Sequence, residues 1–468
     1  MKKKHIFVVG LNDFNRGLLE RTPHADEYEF HGLLDPAEIL ETYDFPIEEM
    51  VERSVRRLED FRARTGEEID AVCGYMDFPV STMLPLICTR VGTRTPSLES
   101  LLKCEHKYWS RVEQKKIVPD HIPDFTVFDP FDDNALTKIR LPYPFWIKPI
   151  KSSGSFLGFR IENEENFRRA VPVIREQINL ISDPFNFVMS QVDLPDEIAR
   201  VDGSYCLAEG IIGGRQCTLE GYSLNGRVEA TGIIDSIRYE NGVSFFRYEY
   251  PSSLPFKIQE RMVRLSEKII PALGFDDSAF NIEYFWDRGR DKIWLLEINT
   301  RVSQSHSDIF EKVDGASNQA VSVDVALGRD PEFPYQRGEF VRAAKFFWRL
   351  YEDGVVKKVP PQKEIERVEG EVPGTVVRPQ VVPGMRLSEL LEQDSYSYAI
   401  CQLYIGGDDQ KDLLDKYLHC QELLTFEISP IRRPRAHGTD KAQGKRGKRG
   451  KKREQKSGAA RSETFRGK

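Results

Sequence analysis

The 468-residue sequence contains no apolar run long enough to cross a membrane, since a helical span needs about 20 apolar residues. The basic stretch at residues 2–4 precedes only about five apolar residues, fewer than the core of a secretory signal. We therefore expect a cytoplasmic protein that makes no membrane contact.

Cysteine is scarce, and its spacing matches neither a C-x-x-C pair nor a zinc site, although a catalytic cysteine stays open. No two of the seven cysteines form a C-x-x-C pair, and none combines with histidine at the spacing of a zinc site. Several lie in apolar surroundings, which favours buried free thiols in a reducing compartment. The cysteines are residues 73, 88, 104, 206, 217, 401 and 420.

Two glycine-rich nucleotide motifs are also missing. The first apolar strand is followed at residues 10–17 by a segment without the G-x-G-x-x-G spacing that lets a backbone approach a pyrophosphate. The P-loop order G-x-x-x-x-G-K-[ST] is absent as well. A dinucleotide site at the start of the chain is thus disfavoured.

Charge is divided unevenly along the chain. The formal net charge is −7, yet residues 431–468 hold 15 Lys or Arg against three acids. This segment has almost no large apolar residues, so we expect a disordered basic tail on an acidic folded body. The tail could bind nucleic acid or another anionic surface by counterion release, or it could be a solvated extension that aids solubility.

Residues 1–100 alternate short apolar strands with helical segments, which favours an α/β domain with an open parallel sheet. A longer helix is predicted at 98–114. The strands are predicted at 5–10, 30–35 and 70–75, and helical segments near 15–20, at 47–64 and at 84–90.

Residues 101–330 are rich in β-runs and form a second predicted domain, of the α+β class. Asn225 and Gly226 separate two of these runs and indicate a tight hairpin. Proline and aspartate at 182–203 suggest an inserted loop. A small α+β subdomain is predicted for residues 331–430, with strands at 372–377 and 399–405 and helices at 388–392 and 410–424.

Three oxygen-bearing side chains form a candidate metal site. Glu297 and Asn299 are two apart on an apolar strand, so they share one face. A polar turn at 287–291 would pair this strand with the one that carries Glu283, and would bring the second carboxylate to the same face. Two carboxylates and an amide oxygen are ligands that suit Mg²⁺, although a solvated strand face with unrelated polar residues would give the same pattern.

Two basic features accompany these ligands. Arg301 follows Asn299 by two residues, and its guanidinium suits an anionic substrate or an acyl phosphate. Lys148 ends an apolar strand and precedes a Ser/Gly-rich turn, whose backbone N–H groups could close around phosphates. An ordinary β-hairpin with an edge lysine would show the same pattern. The turn includes Ser153, Gly154 and Ser155.

Together these features resemble the ATP-grasp superfamily, in the same order and at similar spacing. The resemblance covers residues 100–330 with clear motifs, and it extends more loosely to the regions on either side. It implies a two-lobed fold that clasps ATP with Mg²⁺, or with Mn²⁺ as an alternative. By resemblance, the ATP contacts are Lys107, Lys148, Ser153, Gly154, Ser155, Ala208, Glu209, Ile211 and Gln216, the metal ligands are Glu283, Glu297 and Asn299, and the catalytic residues are Arg301 and Lys148.

The sequence departs from the family at two positions. Gln216 stands where many members carry a glutamate that contacts the ribose, although glutamine can also bind a hydroxyl. The run that ends at Arg301 looks closest to biotin carboxylases, which place a glutamate directly before a histidine to activate bicarbonate. Here Ser305 precedes His306, so bicarbonate chemistry is disfavoured.

The resemblance implies an ATP-dependent ligase that activates a small or peptidic carboxylate for attack by an amine and releases ADP and phosphate. A non-catalytic ATP-binding sensor is the alternative, and the basic tail would also allow an enzyme of this class that associates with nucleic acid. Dimers are frequent in the family, so a homodimer is a further expectation. Candidate substrate contacts are Arg238, Arg247, His306 and Asp308.

Overall fold

The computed structural model describes residues 2–40, 46–152, 156–390 and 396–431. The predicted phosphate turn (Ser153, Gly154 and Ser155) and the basic tail from residue 432 onward lie outside these ranges. The described residues belong to one compact unit. None of the helices described combines the length and the apolar character that crossing a bilayer requires.

The strands of the described residues form sheets of three, four, eight and two strands. They are β1 (Lys4–Val9), β2 (Tyr28–Gly32), β3 (Ala71–Gly74), β4 (Phe125–Phe128), β5 (Phe145–Pro149), β6 (Phe159–Ile161), β7 (Cys206–Gly210), β8 (Arg215–Leu224), β9 (Arg227–Arg238), β10 (Phe245–Tyr250), β11 (Ser278–Asp287), β12 (Lys292–Asn299), β13 (Arg342–Leu350), β14 (Gly354–Lys358), β15 (Thr375–Pro379), β16 (Tyr398–Gly407) and β17 (Glu427–Pro430).

The helices flank these sheets, and three short 3-10 turns (Ala25–Glu27, Pro119–His121 and Leu387–Glu389) accompany them. They are α1 (Asp13–Leu19), α2 (Pro36–Leu40), α3 (Ile47–Thr65), α4 (Val80–Val91), α5 (Leu98–Glu105), α6 (Lys107–Ile117), α7 (Ala135–Lys138), α8 (Glu164–Gln177), α9 (Asn179–Met189), α10 (Asp196–Ala199), α11 (Phe256–Ala272), α12 (Ser307–Asp314), α13 (Gln319–Ala326), α14 (Gln362–Glu371) and α15 (Gln410–Leu423).

The first sheet is parallel, with the strand order β2-β1-β3, and confirms the α/β architecture predicted for the start of the chain. Both of its faces are covered, as a parallel sheet requires. Phe7 and Val9 pack into a core that includes α3, whereas Ile6 and Val8 pack into a second core that includes Tyr222 of the large sheet. The first sheet is thus packed directly against the region that follows it.

The helix predicted at 98–114 is in fact two helices, α5 and α6. His106 interrupts it with ψ 99°, because its side chain serves as a cap instead of continuing the turn. His106 Nδ1 accepts a hydrogen bond from Trp109 N at 3.1 Å, and Nε2 donates to Val201 O at 2.7 Å. The break places Lys107 at the first position of α6.

Residues 182–203, predicted as an inserted loop, instead contain most of α9 and all of α10. Phe185, Val188 and Met189 recur at helical spacing and are buried in the same core as Trp109. Burial of this apolar face outweighs the proline and aspartate that suggested a loop.

The four-stranded sheet is antiparallel, with the order β4-β7-β5-β6. Its central strand β7 pairs with β5, so that Lys148 lies opposite Leu207 and Trp146 opposite Glu209. Phe145, Ile147 and Ala208 face the core beneath this sheet. Lys148 and Glu209 therefore belong to the opposite face, where they can meet.

The eight-stranded antiparallel sheet has the order β12-β11-β8-β9-β10-β13-β16-β15. The predicted hairpin joins β8 to β9, with Leu224 opposite Arg227 and positive φ angles of 52° at Asn225 and 78° at Gly226. These angles suit a two-residue turn with the twist of the strands. The presence of two separate antiparallel sheets, one of eight strands and one of four, agrees with the two-lobed fold that the resemblance implies.

The region predicted as a C-terminal subdomain continues the large sheet, because β10 pairs with β13. Its strands β15 and β16 and its helix α15 occur close to the predicted positions. The helix predicted at 388–392 is a 3-10 turn, Leu387–Glu389, as far as the described residues reach. All seven cysteines are buried free thiols, which confirms that prediction.

Candidate active site

The two carboxylates of the predicted metal site lie on neighbouring strands. In the β11–β12 pair, Glu283 is directly opposite Glu297, and Asn281 is opposite Asn299. Asn299 Nδ2 donates to Asn281 Oδ1 at 2.9 Å, and Asn281 Nδ2 donates to the carbonyl oxygen of Arg301 at 2.9 Å. The bond to Asn281 orients the Asn299 amide. The Oδ1 atom of Asn299 accepts no hydrogen bond from the described residues.

The two carboxylates differ in their electrostatic surroundings. Burial and the nearby charge of Glu297 raise the pKa of Glu283 above its usual range. Burial would also raise the pKa of Glu297, but the positive charges of Lys107 and Lys148 outweigh it and lower that pKa. The pair therefore holds repelling charge that a bound cation would relieve.

Lys107 lies beside the carboxylate of Glu297. Its backbone N–H donates to Ile150 O at 3.1 Å, and its Nζ donates to Ser152 O at 2.8 Å. The same Nζ is 3.4 Å from Glu297 Oε2. Burial lowers the pKa of Lys107, and the nearby Lys148 lowers it further, whereas Glu297 raises it in part. From the first position of α6, Lys107 therefore contacts both the segment after β5 and the carboxylate of Glu297.

Lys148 pairs with Glu209, a residue that the resemblance assigns to the nucleotide. Lys148 Nζ lies 2.6 Å from Glu209 Oε2, and Arg111 Nε donates to Glu209 Oε1 at 2.5 Å. Burial would raise the pKa of Glu209, but Arg111 and Lys148 reverse the effect and lower it to about 2. The Glu209 side chain is therefore a buried anion that holds two cations.

The other predicted nucleotide contacts on this strand differ in accessibility. Ala208 is fully buried in the core. It lies opposite Ile147 on β5 and opposite Thr126 on β4. Ile211 follows the end of β7 and is 39% exposed. An adenine ring could therefore contact the side chain of Ile211, but not the side chain of Ala208.

Gln216 contacts the carboxylate pair in this structure. Its Nε2 donates to Glu283 Oε2 at 2.8 Å, and its Oε1 accepts from Arg238 at 3.0 Å (Nε) and 2.6 Å (Nη2). The amide therefore connects the guanidinium of Arg238 to Glu283. A glutamate at position 216 would add a third negative charge next to Glu283 and Glu297.

Arg301 is held by an aspartate from the N-terminal parallel sheet. Its Nη2 donates to Asp77 Oδ2 at 2.5 Å, and Asp77 Oδ1 is 3.7 Å from Lys151 Nζ. Lys151 also pairs with Glu105, which accepts a hydrogen bond from Thr300 Oγ1 at 2.6 Å. Burial opposes the charge of Asp77, but Arg301 and Lys151 hold its pKa well below the usual range.

Asp77, Glu105 and Lys151 are not among the site residues predicted from the sequence. Asp77 lies three residues beyond the carboxyl end of β3, where ligands of open parallel sheets commonly bind, and this position was the available signal. No local pattern marks Glu105 or Lys151, because their partners are distant in the sequence.

His306 is anchored within the protein. Its Nδ1 is 2.7 Å from Glu220 Oε1, which also accepts from Ser303 N at 3.1 Å. The ring of Tyr248 packs edge-on at 5.1 Å between centroids. Ser305 Oγ accepts a hydrogen bond from Lys345 Nζ at 3.0 Å. The serine that distinguishes this chain from biotin carboxylases therefore faces a lysine.

The other candidate substrate contacts also have partners inside the protein. Arg247 Nε donates to Glu249 Oε2 at 2.9 Å, and Lys312 Nζ lies 2.7 Å from Asp308 Oδ1. Arg238 bonds to Gln216, as described above. Among them, Arg238 is connected to the carboxylate pair through the Gln216 amide.

Most of these charged residues lie in a segment that matches a known domain family. The family model for the ATP-grasp domain matches residues 141–307, and no curated protein sequence matches the chain. The chain therefore contains an ATP-grasp domain, which confirms the resemblance found in its sequence.

Solved structures with this fold span almost the whole chain. An L-amino acid ligase from Bacillus licheniformis has 14% identity and a TM-score of 0.66, with 91% of this chain and 99% of that chain covered. A phosphoribosylglycinamide synthetase from Anaerococcus prevotii has 15% identity, a TM-score of 0.60, and 92% and 100% coverage. A biotin carboxylase from Campylobacter jejuni has 14% identity, a TM-score of 0.59, and 91% and 92% coverage. This chain shares their fold.

Proposed function

We propose that this protein is an ATP-dependent ligase that transfers the γ-phosphate of ATP to a carboxylate, so that an amine can attack the acyl phosphate. The products are an amide, ADP and phosphate. The observation that carries the proposal is the convergence of Glu283, Glu297 and Lys107 across the β11–β12 pair and the start of α6. Two carboxylates and a buried lysine in contact suit a metal–triphosphate complex.

The residues present fit a magnesium ion, with manganese as the alternative. Glu283 and Glu297 face each other, and Asn299 offers an amide oxygen on the same face of β12. All three supply oxygen atoms, the ligand type that Mg²⁺ and Mn²⁺ prefer. When bound, the ion would neutralise charge on the phosphate oxygens.

The basic residues would bind and orient the charged groups of the substrates. Lys107 and Lys148 would bind the phosphates, with Glu209 and Arg111 holding Lys148 in place. Arg301, oriented by Asp77, would bind the carboxylate as it becomes an acyl phosphate. Ile211, after the end of β7, would contact the adenine.

Ligases and a biotin carboxylase share this fold, so the choice between a carbon–nitrogen ligase and a carboxylase depends on the residues near His306. Two of the proteins named above are an amino acid ligase and a synthetase with the same fold. Ser305 bonds to Lys345 where biotin carboxylases carry a glutamate, so the base that activates bicarbonate has no counterpart at that position. We therefore propose a small organic or peptidic acid as the group that is activated.

Hydroxylamine trapping tests the proposal without knowledge of the natural amine. Purified protein is incubated with ATP, Mg²⁺, hydroxylamine and pools of carboxylic acids, and both ADP and the acyl hydroxamate are measured. We expect ADP release that depends on one acid pool. Pools of amines, added in place of hydroxylamine, then identify the second substrate.

Three variants show whether the turnover comes from this site. Glu297→Ala and Lys148→Ala should reduce it at least about 100-fold, because each removes charge stabilisation of the transferring phosphoryl group. Glu162→Ala, at an exposed position, is the matched control. Unchanged turnover in Glu297→Ala would reject the site, and ATP binding without turnover in every pool would favour a sensor.

A further inference from the structure

We propose that His5, His31 and Glu29 form a second metal site, for a divalent transition ion such as Zn²⁺, near the start of the parallel sheet. His5 lies on β1, and Glu29 and His31 lie on the neighbouring strand β2. The candidate active site, by contrast, is built from residues beyond the end of β3, from α6, and from the four-stranded and eight-stranded sheets. The proposal is independent of the ligase function.

The register of two parallel strands places the three side chains on one face. His5 lies opposite Glu29, and Phe7 lies opposite His31. Since residues two apart on a strand share a face, Glu29 and His31 project to the side of His5. The two histidines are 26 positions apart in the sequence, and this spacing gives no indication of the arrangement.

The donor atoms are close enough to share one ion. His5 Nδ1 is 3.0 Å from His31 Nε2, and each nitrogen is 3.8 Å from an oxygen of Glu29. All three donor atoms lie within 4.8 Å of one another. Ligands of a tetrahedral zinc ion, with bonds of about 2.0 Å, are about 3.3 Å apart, so small side-chain rotations would complete the geometry.

The carboxylate of Glu67 favours the tautomer of His5 that has its proton on Nε2 and leaves Nδ1 free to bind a metal. Glu67 accepts a hydrogen bond from His5 Nε2, which leaves the lone pair of Nδ1 directed at His31 and Glu29. Metal-binding histidines commonly donate their other ring N–H to a carboxylate in this way. Lys2 Nζ lies 3.7 Å from the second oxygen of Glu67.

Aromatic packing holds both imidazole rings. His31 stacks on Phe7 at 4.6 Å between centroids, and Phe61 packs edge-on against His5 at 5.0 Å. Glu29 is more open, with 54% of its side chain exposed, while the His5 side chain is 8% exposed. An ion could therefore enter past Glu29, and a water molecule could serve as the fourth ligand.

The chemistry of the donors distinguishes this cluster from the carboxylate pair of the active site. Two imidazole nitrogens and one carboxylate favour zinc and similar ions, whereas carboxylate and amide oxygens favour magnesium or manganese. Without an ion, the two facing nitrogens must share a proton in an ordinary hydrogen bond. The experiment has to distinguish a cluster that binds a metal ion from a pair of histidines joined by an ordinary hydrogen bond.

Metal binding to the full chain, stripped with a chelator, tests the proposal. Bound Zn²⁺ per chain is measured by mass spectrometry after dialysis, and the affinity by competition with a chromogenic chelator. Co²⁺ provides a second readout, since its visible absorption reports tetrahedral nitrogen-containing coordination. We expect one Zn²⁺ per chain, a rise in Tm, and a tetrahedral Co²⁺ spectrum.

Four variants locate the ion. His31→Gln and Glu29→Gln should weaken Zn²⁺ binding at least about tenfold. His24→Gln, outside the cluster, and Glu297→Gln, in the candidate active site, should bind as the unmodified chain does. Glu29 is exposed, so Glu29→Gln tests the site even if His31→Gln impairs folding. Absence of stoichiometric zinc, unchanged affinity in Glu29→Gln, or loss of zinc in Glu297→Gln would each overturn the proposal.

Discussion

At the scale of single residues, buried acids hold the cations of the candidate active site in place. Glu209 is 4% exposed and pairs with both Lys148 and Arg111, which is 3% exposed. Arg111 also donates to Leu296 O at 2.7 Å, next to Glu297, which we propose as a metal ligand. One anion therefore connects the four-stranded sheet, α6 and β12. Without Glu209, the buried Arg111 would keep hydrogen bonds to two neutral groups, Gln114 and Leu296 O.

Replacing Glu209 by glutamine should strongly destabilise the protein. The substitution preserves shape but leaves Arg111 and Lys148 without their shared counter-charge, and breaking a buried pair in this way costs about 3–5 kcal/mol. Urea unfolding at pH 7 measures the free energy of unfolding. Glu162→Gln, at an exposed residue, should change it by less than about 0.5 kcal/mol. Equal values for the two variants would show that the buried pairs contribute little.

At the scale of elements, the break between α5 and α6 determines where Lys107 lies. His106 forms it by capping α6 and by bonding to Val201 O, and the residue is fully buried. Burial lowers the pKa of His106 to about 4, from an ordinary value of 6.5. The cap is therefore a neutral imidazole, and protonation opposes the folded state.

Stability should fall as the pH decreases from 6.5 to about 4, in part because of His106. Below pH 6.5 the unfolded chain binds a proton at this residue while the folded protein does not, so protonation favours unfolding. The loss should reach the order of 3 kcal/mol. In His106→Gln, which cannot titrate, this part of the pH dependence should disappear.

Urea unfolding between pH 7.5 and 4 measures the effect, with His419→Gln, at an exposed helix position, as the matched control. The same pH dependence in His106→Gln and in the unmodified chain would contradict the assignment.

At the scale of the whole molecule, the described residues up to 431 form one compact unit with a continuous eight-stranded sheet. The sheet runs from β12, which carries Glu297 and Asn299, to β15 in the C-terminal region. The charge of the chain is distributed differently, because residues 431–468 carry 15 basic side chains against three acids. A deletion that removes the basic segment can therefore separate the contribution of its charge from the folding of the preceding residues.

Deleting residues 434–468 should leave Tm and ATP-dependent turnover unchanged. The removed segment contains a single aromatic residue, Phe465, and little apolar surface to bury. If the chain retains RNA or DNA at low salt, the deletion should abolish that retention, because it removes most of the clustered positive charge. Calorimetry and filter binding at several salt concentrations measure both properties. Salt-sensitive retention that survives the deletion would exclude the tail as its cause.

Much of the architecture could be predicted from local sequence. Strand alternation near the start, the Asn225-Gly226 hairpin and the order of the ATP-grasp motifs all depend on short-range patterns. The structure shows the strands and the hairpin, and the family model confirms an ATP-grasp domain at residues 141–307. The break at His106 and the helix α9 could not be predicted in the same way. His106 leaves the helix because of a bond to Val201, 95 residues away, and α9 forms because a distant core buries its apolar face.

The sequence by itself determined which side chains are available and which neighbours share a face, such as Glu297 with Asn299. Only the tertiary structure decided that Asp77 meets Arg301, and that His5 meets His31 and Glu67. The reason is physical: sheet order and strand register depend on the burial of whole faces, which local periodicity does not encode. The pKa values of Glu209 and His106 likewise depend on burial and on charges brought together by folding.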